Sequence, residues 1–292
     1  MRFGKFRKIV PMLVGFAPLM ALAETPAPLA GWELGAYFDS YFQSSPQAHG
    51  APGAQIVEGR LFDKRTNQTA VNMVELSARR KAGLTTFRID AAFGDMVDAM
   101  AHSTTASTEP TRNITQATIT HAPTDRLTFT VGKFYTPIGF ETTKAKDNWQ
   151  YSRSFTFNYA IPLWHQGLSV AYAIMPSKLT GTVYVVNNMT GQLSGESSTE
   201  PAYGLAFNAT PMEELAVNYV YMTSYDAVVG EGKRDLHDIN AIYNINSQYA
   251  VAVDYTMGTQ VKPTGIANDT KWNGLALYFK AQFTPLYMSG PA

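Results

Sequence analysis

The chain has 292 residues, enough for one large domain or two small ones. It has no cysteine, which excludes a disulfide framework and thiolate chemistry. Basic and acidic residues balance at 23 each, so the chain lacks the basic excess of a nucleic-acid binder.

The first residues are read as a targeting segment. Arg2, Lys5, Arg7 and Lys8 form a basic head, Ile9 to Leu22 an apolar run, and Ala21-Leu22-Ala23 a small-residue cleavage site. That order predicts a cleaved secretory signal peptide over residues 1–23. A membrane anchor fits less well, because the run is short and holds Pro11 and Pro18. Cleavage leaves 19 basic against 23 acidic residues, a mildly acidic mature chain over 24–292.

No second apolar run is long enough to cross a membrane as a helix. Aromatics still reach 12%, which leaves a soluble β-sandwich or a barrel whose lipid face is hidden by alternation. Period-2 alternation begins at Trp32–Phe42, where Leu34, Ala36 and Phe38 oppose Tyr37, Asp39 and Tyr41. It returns in Val71–Arg80, Leu84–Gly94, Asn113–His121, Leu127–Phe134, Gly167–Ile174 and Leu179–Asn187. The later runs are Tyr203–Ala209, Leu215–Tyr225, Leu236–Ile245, Tyr249–Met257 and Trp272–Phe283. About a dozen strands result, most of them near the length a tilted membrane strand needs.

The connections alternate in length. Gln43–Ala70, Asp95–Arg112, Tyr135–Gln166, Asn188–Ala202, Asp226–Asp235 and Gly258–Lys271 are long. Lys81–Gly83, Ala122–Arg126, Met175–Lys178, Thr210–Glu214 and Asn246–Gln248 are short. Tight turns at one end and long loops at the other predict an antiparallel transmembrane β-barrel, whereas sandwiches mix loop lengths. Three short turns share a form in which Pro123, Pro176 or Pro211 precedes polar residues and a strand-opening leucine. Proline cannot donate to a ladder and suits a strand end. Trp32, Phe42, Tyr172, Tyr203, Tyr225, Tyr249, Tyr255 and Trp272 lie near predicted strand ends, where a barrel carries its aromatic girdles.

After the last strand, Thr284 to Met288 resembles another short turn opening another strand. Either twelve strands close and this tail overhangs, or the C-terminal end is lacking. An open barrel exposes unpaired backbone to lipid, so truncation is the favoured expectation.

The Tyr135–Gln166 connection is dense in unusual residues. It is introduced by Gly132-Lys133-Phe134 and runs through Thr136-Pro137-Ile138-Gly139 and Glu141. Asp147-Asn148, Tyr151-Ser152-Arg153-Ser154, Pro162, His165 and Gly167 follow. On these residues the chain resembles the putative beta-barrel porin-2 family, the OmpL-like outer-membrane proteins. Gly35 to Asp39, Arg60 and Gln116-Ala117 are similar too. The resemblance implies an outer-membrane porin-like barrel and a chain longer than this one; it names no solute.

A long polar loop folded into the lumen would place Lys133, Thr136, Pro137, Gly139, Glu141, Asp147, Asn148, Tyr151, Arg153 and His165 at a constriction, with Lys144 and Lys146 beside them. Charges in such a bottleneck sort permeating ions. Alternatively, Arg153 and Glu141 only hold the loop by pairing with wall charges. Within the connection, Thr136 to Gly139 reads as a turn rather than a site of solute contact. Asp39, Glu75, Arg79, Arg88 and Asp90 are the candidate lumen wall, with Asp254 and Lys280 also facing inward, since charge is costly against lipid.

Catalytic readings are poor. His49, His102, His121, His165 and His237 are scattered, and no H-E-x-x-H or G-x-S-x-G occurs. His237 and Asp238, adjacent on a strand, point to opposite faces. No enzyme, metal or cofactor is expected. The expected surroundings are outer-membrane lipid and the expected partners small hydrophilic solutes or ions, with homo-oligomerisation left open. A non-conducting barrel displaying loops for adhesion or structure is the first alternative; a barrel enzyme and a soluble secreted β-protein follow.

Overall fold

The computed structural model describes residues 31–44, 59–100, 111–189, 201–225, 232–261 and 268–282. The signal peptide expected over 1–23 and the tail expected at 284–288 lie outside the described residues.

Among the described residues, twelve strands follow one another. They are β1 (Trp32–Gln43), β2 (Gln68–Ala82), β3 (Thr85–Phe93), β4 (Ile114–His121), β5 (Leu127–Tyr135) and β6 (Trp164–Met175). Then come β7 (Leu179–Val186), β8 (Ala202–Met212), β9 (Leu215–Tyr225), β10 (Lys233–Asn244), β11 (Tyr249–Gln260) and β12 (Thr270–Ala281). All twelve belong to one antiparallel sheet in chain order. The class is all-β, as the alternation predicts.

The short turns bear out the proline reading. Thr124, after Pro123, accepts the Leu127 N–H on its hydroxyl at 3.0 Å and so starts β5. The β6–β7 and β8–β9 ladders each shift register near the turn, between Ala173 and Met175 and between Ala209 and Met212. Pro211 falls inside the second shift, where no ladder donor is needed. At the β10–β11 turn, Asn246 accepts the N–H groups of Gln248 and Tyr249 at 2.8 and 2.9 Å, the side-chain mimicry that favours Asn in turns.

Two compact units divide the chain, residues 1–78 with 90–114 and residues 79–89 with 115–292. In the first, Asp39 is buried and accepts the Asn72 side-chain amide at 2.7 Å. Asn72 and Met73 are both buried, so the alternation of β2 slips there. A short helix, α1 (Asp95–Met100), interrupts a connection read as irregular; six residues carry too little period to betray a helix. Arg65 pairs with Asp95, which holds its guanidinium above its usual range, and Arg112 pairs with Asp98.

The second unit holds the end of β2, most of β3, β4 from Thr115, and β5 to β12, and the faces of its later strands are inverted relative to a water-soluble sheet. On β12, Leu275, Leu277 and Phe279 are exposed, Leu277 by 74%, while Ala276 and Tyr278 between them are buried. Opposite Ala276 on β11 lies Asp254, with 0% exposure. Large apolar side chains face out, while the buried side of the same strands holds Asp238, Asn240, Asp254 and Thr256 among smaller or flexible apolar residues such as Ala252 and Met222. No helix among the described residues is long and apolar enough to cross a membrane.

Candidate functional site

The connection from Thr136 to Leu163 is folded onto the polar face of the second unit. It starts with a turn that the wall grips by its main chain. The Gly139 N–H donates to Asp238 Oδ1 on β10 at 3.0 Å, and the Phe140 N–H to Asp254 Oδ2 on β11 at 3.2 Å. Asn218 on β9 donates to the Pro137 carbonyl at 3.3 Å. Thr136 completes the turn. Its hydroxyl accepts the Ile138 N–H at 3.2 Å and meets His165 Nε2 at 3.1 Å. Thr136 to Gly139 is therefore a turn, as its sequence suggests, and one that the wall holds.

Beyond the turn the connection holds itself. Glu141 Oε2 accepts the Ser154 N–H at 2.8 Å and the Ser154 hydroxyl. Asn148 bridges the first lobe, accepting the Thr142 N–H at 2.7 Å and donating to the Thr142 carbonyl at 2.8 Å. Arg153 is buried; it donates to the Tyr151 carbonyl at 2.7 Å and to that of Thr143. Its own carbonyl accepts the Asn158 amide. A buried guanidinium with fixed planar donors is well suited to collecting loop carbonyls. Asp147 is exposed beside Lys146, with the ions 2.8 Å apart.

A second grip comes from the far end. A π-helical turn, Thr156–Ala160, lies against β11 and β12. There Trp272 Nε1 donates to the Ala160 carbonyl at 3.0 Å. The sequence places Trp272 in an outward aromatic girdle. It instead shares the alternation of the buried Ala276 and Tyr278, and its N–H finds a partner in the connection. Tyr172, Tyr203 and Tyr225 lie exposed, as a girdle needs. Between the two grips, Phe140 packs edge-on to Trp149 at 5.2 Å and against Tyr278 at 4.5 Å. Beside Trp149 opens a cavity of about 680 Å³, lined also by Ile242, Asn244, Tyr249 and Lys280.

His165, grouped by sequence with the connection, belongs to β6, is fully buried, and meets Thr136 from the strand side. Lys133 likewise sits on β5, buried, with Nζ 3.8 Å from the Trp164 ring centre. Of the wall candidates, Asp39, Glu75 and Asp90 are buried. Arg79 and Arg88 are exposed. Arg79 keeps the strand phase of Glu75, and Arg88 that of Asp90. His237 and Asp238 point apart, with His237 on Tyr219 at 2.8 Å and Asp238 under the turn. Asp238, Asn218 and Trp272 are the anchors that sequence reasoning missed. Their only signal is a place on the polar phase of a strand. Among the described residues no three His, Cys, Asp or Glu side chains converge on a metal position.

A family model described as "Putative beta-barrel porin-2, OmpL-like" matches residues 31–290. The chain belongs to that family. The match extends over all twelve strands and the folded connection. No curated protein matches the chain in sequence. Among solved structures, the chain is similar to OmpTdeltaL8, a loop L8 deletion mutant of an outer membrane protein of Vibrio cholerae, with TM-score 0.38, 10% identity, and coverage of 73% of this chain and 80% of that one. It is similar to the anion-selective porin from Comamonas acidovorans, with TM-score 0.45, 11% identity, and coverage of 72% and 65%. Pseudomonas aeruginosa OpdQ is similar with TM-score 0.38 and 9% identity, over 74% of this chain and 58% of that one. The chain spans less than two thirds of the length of the last two.

Proposed function

We propose that this protein is an outer-membrane channel for passive diffusion of small hydrophilic solutes or ions, and not an enzyme. The observation that carries the reading is the inversion of faces. Strands with exposed Leu275, Leu277 and Phe279 carry Asp254 and Tyr278 on the buried side, the pattern of a barrel with lipid outside and a polar interior. The connection docked on that interior narrows the path, and Glu141, Arg153 and Lys133 supply its charge. Membership of a porin family supports the channel class.

The test is single-channel recording on protein folded in detergent and shown by its heat-modifiable band to be folded. Stepwise openings are expected, with ion selectivity altered by Glu141→Gln. A folded protein with no conductance rejects the channel. It would favour a plugged barrel displaying its loops, a second reading motivated by the Phe140–Trp149–Tyr278 cluster in the interior.

A further inference from the structure

The cavity of about 680 Å³ beside Trp149 opens at the end of the second unit that carries the short turns, and neither grip on the connection uses it. Its construction follows from the register. Asn244 on β10 lies opposite Ala250 on β11, and Ala250 opposite Lys280 on β12. A methyl floor therefore separates two polar walls by two strand spacings, about 10 Å. All three residues share the strand phase of the buried Asn240, Ala252 and Tyr278, so they face the connection and not the apolar side. The next row, Ile242, Ala252 and Tyr278, closes the pocket with apolar groups against which Phe140 and Trp149 pack.

Lys280 decides the chemistry. It is exposed, and among the described residues it has no carboxylate within ion-pair distance. Its Nζ stands 5.7 Å from the Trp149 ring centre, at the outer limit of a cation–π contact. Lys133 over Trp164, by contrast, is buried at 3.8 Å. One pair is closed and the other stands open on a cavity. An ammonium beside an open indole suits an anion that carries a ring. Charge-assisted hydrogen bonds hold its carboxylate, and the ring packs on the indole. Glu213 and Glu214 line the opposite wall, next to Asn244, whose N–H donates to the Glu214 carbonyl at 2.8 Å. Their charge repels a carboxylate there and fixes its direction, toward Lys280.

We propose that this pocket binds a small aromatic monocarboxylate, with its charge on Lys280 and its ring between Trp149 and Ile242. The volume falls in the range of small-molecule sites, about 300–1,000 Å³. A sugar would leave the cation unused, and a cationic ring would meet Lys280 head-on. The inference deepens the channel reading by naming a solute class. It rests on that reading for the solute's route, but binding is measured without it.

The test uses the full chain folded in detergent and para-fluorobenzoate, followed by fluorine NMR against protein-free micelles. Saturable line broadening is expected, reversed by benzoate and not by benzylammonium or glucose. Lys280→Gln should weaken binding on the order of tenfold, the loss of one hydrogen bond to a charged group, and Lys280→Arg should restore it. Trp149→Leu should weaken it about two- to tenfold. Lys271→Gln, at the other end of β12, should change nothing. Broadening that matches the micelle control, that survives Lys280→Gln unchanged, or that glucose reverses as well as benzoate does overturns the site. Should Trp149→Leu fail to fold, the exposed Lys280 still decides through its two variants. Conductance on the same sample reports separately. Binding without openings keeps the pocket and rejects the channel, and openings without binding do the reverse.

Discussion

Gly132 and Gly167 face each other across the β5–β6 ladder, both at positive φ, 129° and 153°. Each is pressed against a further strand. A Cβ on Gly132 would overlap the Ala117 carbonyl of β4, and one on Gly167 the Val185 carbonyl of β7. Four strands therefore meet at one glycine pair, at the point where the chain leaves for the long connection and where it returns. The G-K-F and H-x-G segments are the two halves of a single structural device.

Gly132→Ala should accordingly be among the most damaging single-methyl changes in the chain. A strained backbone conformation costs about 1–3 kcal/mol by itself, and the overlap with Ala117 adds to it. Gly83→Ala is the comparison, since Gly83 has φ 60° but open space around a Cβ; its cost should stay near about 1–2 kcal/mol. Urea unfolding of detergent-folded protein measures both. Equal losses would mean that φ, not the approach of strands, is what the glycine provides.

Most of the strand architecture was legible because alternation is local. Every predicted strand recurs with ends displaced by a few residues; β10 begins at Lys233 rather than Leu236, and β6 at Trp164 rather than Gly167. The second displacement moves His165 from loop to strand. The connection is harder to read. Its anchors lie far along the chain: Gly139 and Asp238 are 99 residues apart, Phe140 and Asp254 114, and Ala160 and Trp272 112. Nothing in Asp238 itself distinguishes an anchor from any other inward polar residue. The side chains of the turn do not name its partners on β9 to β11 either, because the wall holds it there by main-chain groups, the Gly139 and Phe140 N–H and the Pro137 carbonyl. Phase alone places Asp254 facing inward, but phase cannot name its partner.

Removing the Asp238 carboxyl should loosen the turn. Asp238→Ala strands the Gly139 N–H, the Thr256 hydroxyl and the Asn240 amide, and each buried unsatisfied group costs about 1–3 kcal/mol. On the channel reading, the expected result is larger and noisier single-channel current with the folded band retained. Asp238→Asn keeps an acceptor and should be milder. Unchanged conductance in the folded Ala variant would mean that the turn does not narrow the path.

Trp272→Phe tests the second grip. It deletes the hydrogen bond to Ala160 while leaving most of the ring, for a loss of about 1 kcal/mol. Tyr203→Phe, on the exposed face, should change stability by no more than about 0.5 kcal/mol. Loss of the folded band on a temperature ramp compares the two. Equal behaviour would argue that the girdle position first expected for Trp272 describes it better than the bond does.

The outward face makes a depth-dependent prediction. Leu277 lies in a cross-strand row with Val253, Ala241, Val217 and Ala209, all apolar. Thr259 lies in a row that already carries Asp235 and Lys271, as expected where strands emerge into a polar interface. Against lipid, an arginine costs about 2–4 kcal/mol at the midplane and about 0–1 near the interface. Leu277→Arg should therefore impair folding into bilayers far more than Thr259→Arg. Against water the ranking disappears, because Leu277 is exposed and charge there would be harmless. The ratio of folded yields in the two variants thus tests what surrounds the sheet without any assumption about what passes through it.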